Sequence, residues 1–522
     1  MNQQRYIQVL LPLKLDWEPV YALPQGSKAS VGDKIEVNFA GKDYIGIVTA
    51  VDVFPEPGID IKEVCWTETP DQVGGDKTAS LSATTPSSLP APTGNLKQLE
   101  FWRQLASYYL CTPGEVYKAS FIKEKIKEKP AAIASLSPSQ ERAITEIKNA
   151  FSKGRTVLLD GMERAEIYLS LAQETLAAGK SVLHLVPTRK KRTITLAASN
   201  GEARYIIGTR NALFQPFENL GLVIVDEEQD TSFKQDSPAP RYNTRDAAIM
   251  LANLYGANVL LGSATPSLES LYNAERGLFT KVQINQNFQN QITLINTAAE
   301  ARKKGMSGLF SFKLQEEIKR TQEEGKKVLL VCRTKANVLE CPTDVDTATP
   351  QSLRTIDPEN YGLIAFLDAD GLLGKEDFRS DERALQTLQQ LSLKAPLAIQ
   401  TREPKHPVFK SLQDGGNGLT FLEERRVCNL PPFTRLLNIV IRDGNEKRIN
   451  YLSKRLSEAI GPCTGPYTPS YEGEEDHIRI IRITLERNKS LKSRKSAIYQ
   501  AVKSFEKYHK YIGHIVIDVD PV

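Results

Sequence analysis

Paired cysteines are missing from this chain. Its six cysteines (Cys65, Cys111, Cys332, Cys341, Cys428 and Cys463) stand far apart with no C-x-x-C, which argues against a disulfide framework and a zinc site. Five histidines scattered over 522 residues add no metal cluster. Long apolar runs are missing too: none approaches the roughly 20 residues that a membrane-spanning helix needs. The opening MNQQRYIQVLLPLKLDW is apolar only briefly and carries no signal-peptide cleavage pattern. A cytoplasmic location without a membrane partner is therefore expected. Strong charge of one sign is also lacking. Net charge is +4 from 67 basic and 63 acidic residues, a mild excess that permits nucleic-acid binding without requiring it. What is present is ordinary: 40% hydrophobic and 25% charged residues, in a length that suggests about three or four domains.

The most telling absence is local. The strand-like run Thr156–Asp160 leads into Gly161-Met162-Glu163-Arg164-Ala165-Glu166, where a phosphate-binding loop is expected. Such a loop needs glycines whose neighbouring N–H groups wrap phosphate, a lysine for the terminal phosphates and a hydroxyl for magnesium. This segment has one glycine, no lysine and no hydroxyl, and Glu163 sets negative charge beside the phosphate position. Arg164 supplies a cation, but arginine and lysine are not interchangeable at such sites.

Against these absences stands Tyr205–Ser270. The apolar run Gly221–Val225 ends in Asp226-Glu227-Glu228-Gln229, and Asn258–Leu261 ends in Gly262-Ser263-Ala264-Thr265. Short apolar runs bounded by turn residues read as buried parallel strands, and functional groups gather at the carboxyl ends of such strands. Asp226 and Glu227 stand where a Walker B pair would, one carboxylate for magnesium and one to orient water. The alternative is a pair of acidic residues that merely start a loop.

Tyr205–Ser270 resembles superfamily 2 helicases, and closely the primosomal protein N-prime (PriA) family. The resemblance rests on Gly208-Thr209-Arg210-Asn211-Ala212-Leu213-Phe214, the DEEQ tetrad, Tyr242 with Arg245-Asp246, and Gly262–Pro266. The family usually has His where Gln229 stands. The implied fold class is α/β: RecA-like parallel-sheet helicase lobes with a small N-terminal β domain and a C-terminal α+β domain. The expected boundaries are 1–70 for the N-terminal DNA-binding-like domain, 71–95 for a linker and 96–134 for a helical connector. Lobe one follows at 135–275, a shortened lobe two at 276–410 and the C-terminal domain at 411–522.

The resemblance also assigns candidate residues. Lys42 lies in the hairpin expected over Ala40–Asp43, within a domain similar to the family's reader of nascent 3′ ends. Gln140, behind a Ser137 cap and Pro138, matches the glutamine that reads adenine; with Gly161 and Arg164 it would form a weak ATP site, Asp226 taking magnesium. Lys234, Arg241 and Tyr242 match the family's loop that couples single-stranded DNA to ATP turnover, and with Arg210 of the Gly208–Phe214 motif they are the DNA-binding candidates of this lobe. In lobe two the family's zinc module is missing, and Leu391-Ser392-Leu393-Lys394-Ala395 replaces its phosphate-stabilising arginine motif. The expected function is DNA binding, to forked or branched DNA with 3′ ends, in replication restart with primosome proteins. ATPase and helicase activity is lost in this reading, with Asp226 and Glu227 vestigial and no zinc. Two alternatives stay open: an active ATP-dependent 3′-to-5′ helicase, and an interaction scaffold without DNA binding.

Elsewhere the pattern is plainer. Leu96–Leu110 has helical spacing with a stripe of Phe101, Trp102, Leu105, Tyr108 and Tyr109, which reads as core. The run IKEKIKEK after Phe121 reads as a solvated helix face. The cluster Arg189–Arg192 reads either as a charged turn or as a phosphate contact.

Overall fold

The computed structural model describes residues 4–521 apart from 56–60, 65, 68–95, 122–125, 128–134, 189–193, 198–203, 285–290, 335–344, 374–376, 468, 473–476 and 510–513. The Thr/Ser/Pro-rich linker and the Arg189–Arg192 cluster lie outside the described residues.

Among the described residues, four sheets of four or more strands carry the architecture. The N-terminal sheet is antiparallel and runs Val20–Ala22, Tyr6–Leu10, Lys42–Val51, Lys34–Phe39, Trp66–Thr67. Its hairpin is tighter than the sequence suggested. Ala40 and Gly41 alone make the turn, both with positive φ (50° and 82°), the geometry of a type I′ turn that matches strand twist. Lys42 thus opens the second strand, paired with Phe39, and its side chain is exposed.

Lobe one is an eight-stranded sheet in the order Phe279–Gln283, Thr156–Asp160, Asn258–Ser263, Leu220–Asp226, Ser181–Leu185, Arg204–Gly208, Ile194–Ala197, Ile126–Lys127. The first six strands are mutually parallel, and the Leu220–Val225 run is buried throughout, as strands covered on both faces require. The sheet runs past the expected boundary at 275, because Phe279–Gln283 pairs with Thr156–Asp160. Of the charged run read as a helix face, only Ile126–Lys127 is described, and it forms a strand at the far edge; the rest of the run lies outside the described residues.

Lobe two is a parallel sheet ordered Ile292–Asn296, Leu397–Thr401, Leu363–Phe366, Val328–Val331, Asp346–Ala348. These are two RecA-like lobes. The C-terminal unit is antiparallel, Ser470–Glu472, Ile478–Glu486, Thr434–Arg442, Ile515–Val519, with helices Glu446–Thr464 and Leu491–Tyr508.

The aromatic stripe of the Leu96–Tyr109 helix is core. Phe101, Trp102 and Tyr109 are fully buried, with Phe101 against Phe214 and Trp102 against Tyr117. The chain's final strand is pinned to lobe one. Asp518 pairs with Lys234 at 2.6 Å, and Asp520 accepts from Tyr108 and Arg435, each at 3.1 Å.

Lobe one, lobe two and the C-terminal unit meet in a buried polar joint. Arg379 pairs with Glu269 at 2.6 Å, Arg425 with Glu382 at 2.6 Å, and the Leu268 N–H donates to Glu382 at 2.8 Å. Gln390 reaches Thr265 at 3.1 Å.

Candidate functional site

The carboxyl end of Leu220–Asp226 faces a cleft of about 1010 Å³ between the two lobes. Lobe one lines it with Arg164, Tyr168, His184, Tyr205, Asp226 and Glu227; lobe two adds Leu353, Leu372, Arg383 and Lys394.

Arg164 ends the segment where a phosphate loop was sought. The helix Ala165–Ala177 begins immediately after it, and its side chain turns back onto the strand end. One guanidinium nitrogen lies 2.8 Å from both Asp226 and Glu227. The Nε donates to the Tyr168 hydroxyl at 2.9 Å and to Asp226 at 3.1 Å, and the remaining nitrogen donates to the Gly161 carbonyl. Tyr168 in turn donates to Asp226 at 3.0 Å. Arg164 is 8% exposed, so its charge is held by protein rather than water.

The electrostatics follow from this geometry. Burial alone would push the Asp226 carboxyl up; the charges of Arg164 and His184 together with the hydrogen bonds from Arg164 and Tyr168 outweigh it, and the group is held below the usual carboxylate range. Burial works against the Arg164 charge, but Tyr168, Asp226 and Glu227 raise its pKa further above an already high value.

The glycines make room for this arrangement. Gly161 has φ +145°, and a Cβ there would stand 2.5 Å from Ile284 Cγ1 and 2.6 Å from the Ile284 carbonyl oxygen. A Cβ on Gly262 would collide with the Tyr168 hydroxyl and lie 3.1 Å from Arg164 Nε. Gln140 is occupied as well. Its side-chain oxygen accepts from the Ser137 N–H at 2.8 Å in a capping box, and its amide nitrogen donates to the Glu163 carbonyl and to Glu166.

Magnesium and a nucleotide, which the fold implies, do not fit these residues. The carboxylates that would hold the cation are already bonded to a guanidinium. The strand Thr156–Asp160 ends in an acid paired with Lys281 at 2.8 Å rather than in a phosphate cradle. From lobe two, Arg383 pairs with Asp377 at 2.9 Å and Lys394 with Glu359 at 3.1 Å.

Two of the expected DNA contacts belong to the interior. The Lys234 ammonium is buried and donates to Asp518, the Arg241 carbonyl and the Val519 carbonyl, so its donors are spent and no phosphate can reach it. Tyr242 is fully buried, edge-on to Phe214, with its hydroxyl donating to the Arg210 carbonyl at 3.1 Å; it offers no face to a base. Arg210 is partly exposed and donates to the Ser232 carbonyl at 3.2 Å, and Arg241 is partly exposed. Lys42 lies in the N-terminal sheet, outside this cluster.

Sequence reasoning missed three contributors. Tyr168 follows Arg164 by four residues, one helical turn, and this spacing could have flagged the pair. Gln229 bridges the two motifs: it donates to Glu227 at 2.8 Å and accepts from the Ser263 hydroxyl at 2.6 Å. Glu228 is buried and holds Arg245, the Ser267 N–H and hydroxyl, and the Ser270 hydroxyl. Only its place beside Asp226 and Glu227 hinted at importance.

Two RecA-like lobes facing each other across a cleft, with a DEEQ strand end on one wall, define a helicase-like protein. No family model matches the chain. Similar sequences do. The replication restart protein PriA of Rickettsia felis is 27% identical over 602 aligned positions, covering 87% of this chain and 89% of that protein. PriA of Chlamydia pneumoniae is 27% identical, covering 65% of this chain and 66% of the relative. PriA of Haemophilus influenzae is 34% identical over a stretch covering 40% of this chain and 33% of the relative. The chain is thus similar over most of its length to replication restart proteins named PriA. Among solved structures, an XPD helicase aligns at TM-score 0.35 with 8% identity, covering 54% of this chain and 98% of that one. The DUF1998 helicase MrfA bound to DNA aligns at 0.30 with 11% identity, covering 70% and 64%. Among the described residues no helix is long and apolar enough to cross a membrane.

Proposed function

We propose that this chain is a DNA-binding replication-restart protein of the PriA kind that no longer hydrolyses ATP or unwinds DNA. Its relatives bear the name replication restart protein PriA, which supports the restart role. The loss of chemistry rests on one observation: the Arg164 guanidinium bonds both Asp226 and Glu227. Phosphoryl transfer needs those carboxylates to hold a metal and orient water, with further cations on the transferred group. Here one cation of the same chain is bonded to both. Forked or branched DNA with a 3′ end is the proposed ligand, with Lys42, Arg210 and Arg241 as the accessible cations among the candidates, and primosome proteins are the proposed partners.

The test is paired. Phosphate release is measured with forked DNA, alongside fluorescence anisotropy of forked against blunt duplex over a salt series. The expected outcome is salt-dependent preference for the fork with no phosphate release above blank. Turnover that disappears in Asp226→Ala overturns the loss of ATPase activity. Absence of DNA binding favours an interaction scaffold instead.

A further inference from the structure

We infer that the guanidinium of Arg164 is a tethered cation standing in the place of a divalent metal on Asp226 and Glu227, excluding metal from the site. The inference rests on the proposed loss of ATPase activity and names the device behind it.

Asp226 and Glu227 are adjacent acids at a strand end, with side chains only 18% and 23% exposed. Two carboxylates that close, largely removed from water, need a positive charge. A diffusible cation would supply it at the cost of its own freedom and hydration. A side chain of the same segment loses far less on binding, because it is already held at high local concentration.

Arg164 suits the role in three ways. Its planar fork reaches both carboxylates from one nitrogen, 2.8 Å to each. Its other nitrogens are held by the Tyr168 hydroxyl and the Gly161 carbonyl, so most of its donors are already engaged within the chain. An arginine also stays charged across the accessible pH range, so proton uptake or release does not open the site. A divalent ion bridging Asp226 and Glu227 would have to expel a guanidinium that has no third acid among its bonded partners. That would leave an uncompensated buried charge, which is strongly disfavoured.

The arrangement is more than one ion pair among many. The surface pairs Arg5–Asp52 and Lys148–Glu174 sit in water and exclude nothing. The Arg164 contacts occupy two strand-end carboxylates that line the 1010 Å³ cleft, where a metal would enter.

The experiment is a titration of Mn²⁺ into the full chain without nucleotide, read by the loss of free Mn²⁺ signal in electron paramagnetic resonance. Wild type is expected to take up no manganese at this site. Arg164→Gln keeps a shorter polar side chain but removes the charge; Arg164→Ala removes the side chain. Both are expected to bind one equivalent, tighter than wild type by roughly tenfold or more. That binding is expected to vanish in Arg164→Gln/Asp226→Asn. Arg164→Lys, which keeps a point charge, is expected to stay metal-free. Circular dichroism confirms the fold of each variant, and the glutamine variant serves where the alanine one unfolds.

Manganese binding by wild type that Asp226→Asn abolishes overturns the inference. So does failure of the folded glutamine variant to bind, which would leave Arg164 a purely structural ion pair. ATP turnover by wild type is a separate measurement and counts against the proposed function, so the two failures can be told apart.

Discussion

Gly262 and Tyr168 occupy one space between them. A methyl group on Gly262 would collide with the Tyr168 hydroxyl and stand 2.9 Å from its ring carbon Cζ. The hydroxyl cannot retreat freely, because it accepts from Arg164 and donates to Asp226. Gly262→Ala is therefore expected to destabilise the chain by about 1–3 kcal/mol, the usual cost of overpacking a filled interior. Tyr168→Phe in the same chain removes the colliding oxygen, so the double variant should lose less than the sum of the two single losses. Urea denaturation of the four proteins measures this. Strict additivity would mean that the glycine is needed for some other contact.

Lys234 tests the assignment of interior against interface. Its ammonium holds Asp518 at 2.6 Å and two carbonyls at 2.8 Å. Lys234→Ala strands these partners in a largely buried place, and breaking such a pair costs about 3–5 kcal/mol. The expected result is a lower urea midpoint with unchanged affinity of the folded protein for forked DNA. Weakened DNA binding with unchanged stability would return Lys234 to the interface.

These two cases show what the sequence could and could not disclose. The parallel strands were legible because apolar runs ending in acids or small residues have few other uses. The Ser137-Pro138 helix start was legible for the same reason: capping chemistry is local, and the capping box is there. The fate of Lys234 was not legible. A lysine beside Phe233 in an aromatic-rich loop looks like a phosphate contact, and only the final strand, nearly 300 positions later in the chain, turns it inward. Arg164 was visible as a substitute cation, but its direction was not. Whether an arginine meets a ligand's charge or its own chain's carboxylates depends on Tyr168 and Gly262 making room, and that is a three-dimensional fact.

Lys495 gives the chain a signature at alkaline pH. The ammonium lies 3.8 Å from the centroid of the Tyr108 ring and donates to the Tyr108 carbonyl. Burial pushes its pKa down, Asp520 opposes this and Arg435 adds to it, leaving a value of about 8. In the unfolded chain the group keeps its proton until about pH 10.4. Between those values the unfolded state binds the extra proton, so stability rises with pH. Lys495→Met lacks this titration. Relative to the methionine variant, wild type should therefore gain stability between pH 7.5 and about 10. Chemical denaturation at a series of pH values measures the difference. A flat difference would show that the ammonium titrates normally, as it would in contact with water.

Arg425 makes the joint between the lobes depend on pH at the acid end. It lies 2.6 Å from Glu382 and 3.7 Å from Glu269, all three side chains being largely buried. Burial would push the Glu269 carboxyl up, but Arg379, Arg425 and Arg245 outweigh it and hold it well below the usual range. A carboxylate depressed in the fold stabilises fully above its unfolded pKa of about 4.3, and that contribution fades as pH falls through the lowered folded value. Arg425→Ala leaves the two acids with less positive charge, so two effects should appear together. Stability at pH 7 should drop by about 3–5 kcal/mol, since a buried pair is broken. The contribution that remains should be lost at a higher pH than in wild type, because the Glu269 carboxyl is less depressed. Arg425→Lys should recover part of the loss but not all, since a single ammonium cannot reproduce a fork that also reaches the Phe378 and Pro431 carbonyls. Denaturation midpoints from pH 3 to pH 7 for the three proteins separate these outcomes. An alanine variant with a wild-type acid profile would show that Arg379 and Arg245 alone set the charge balance of the joint.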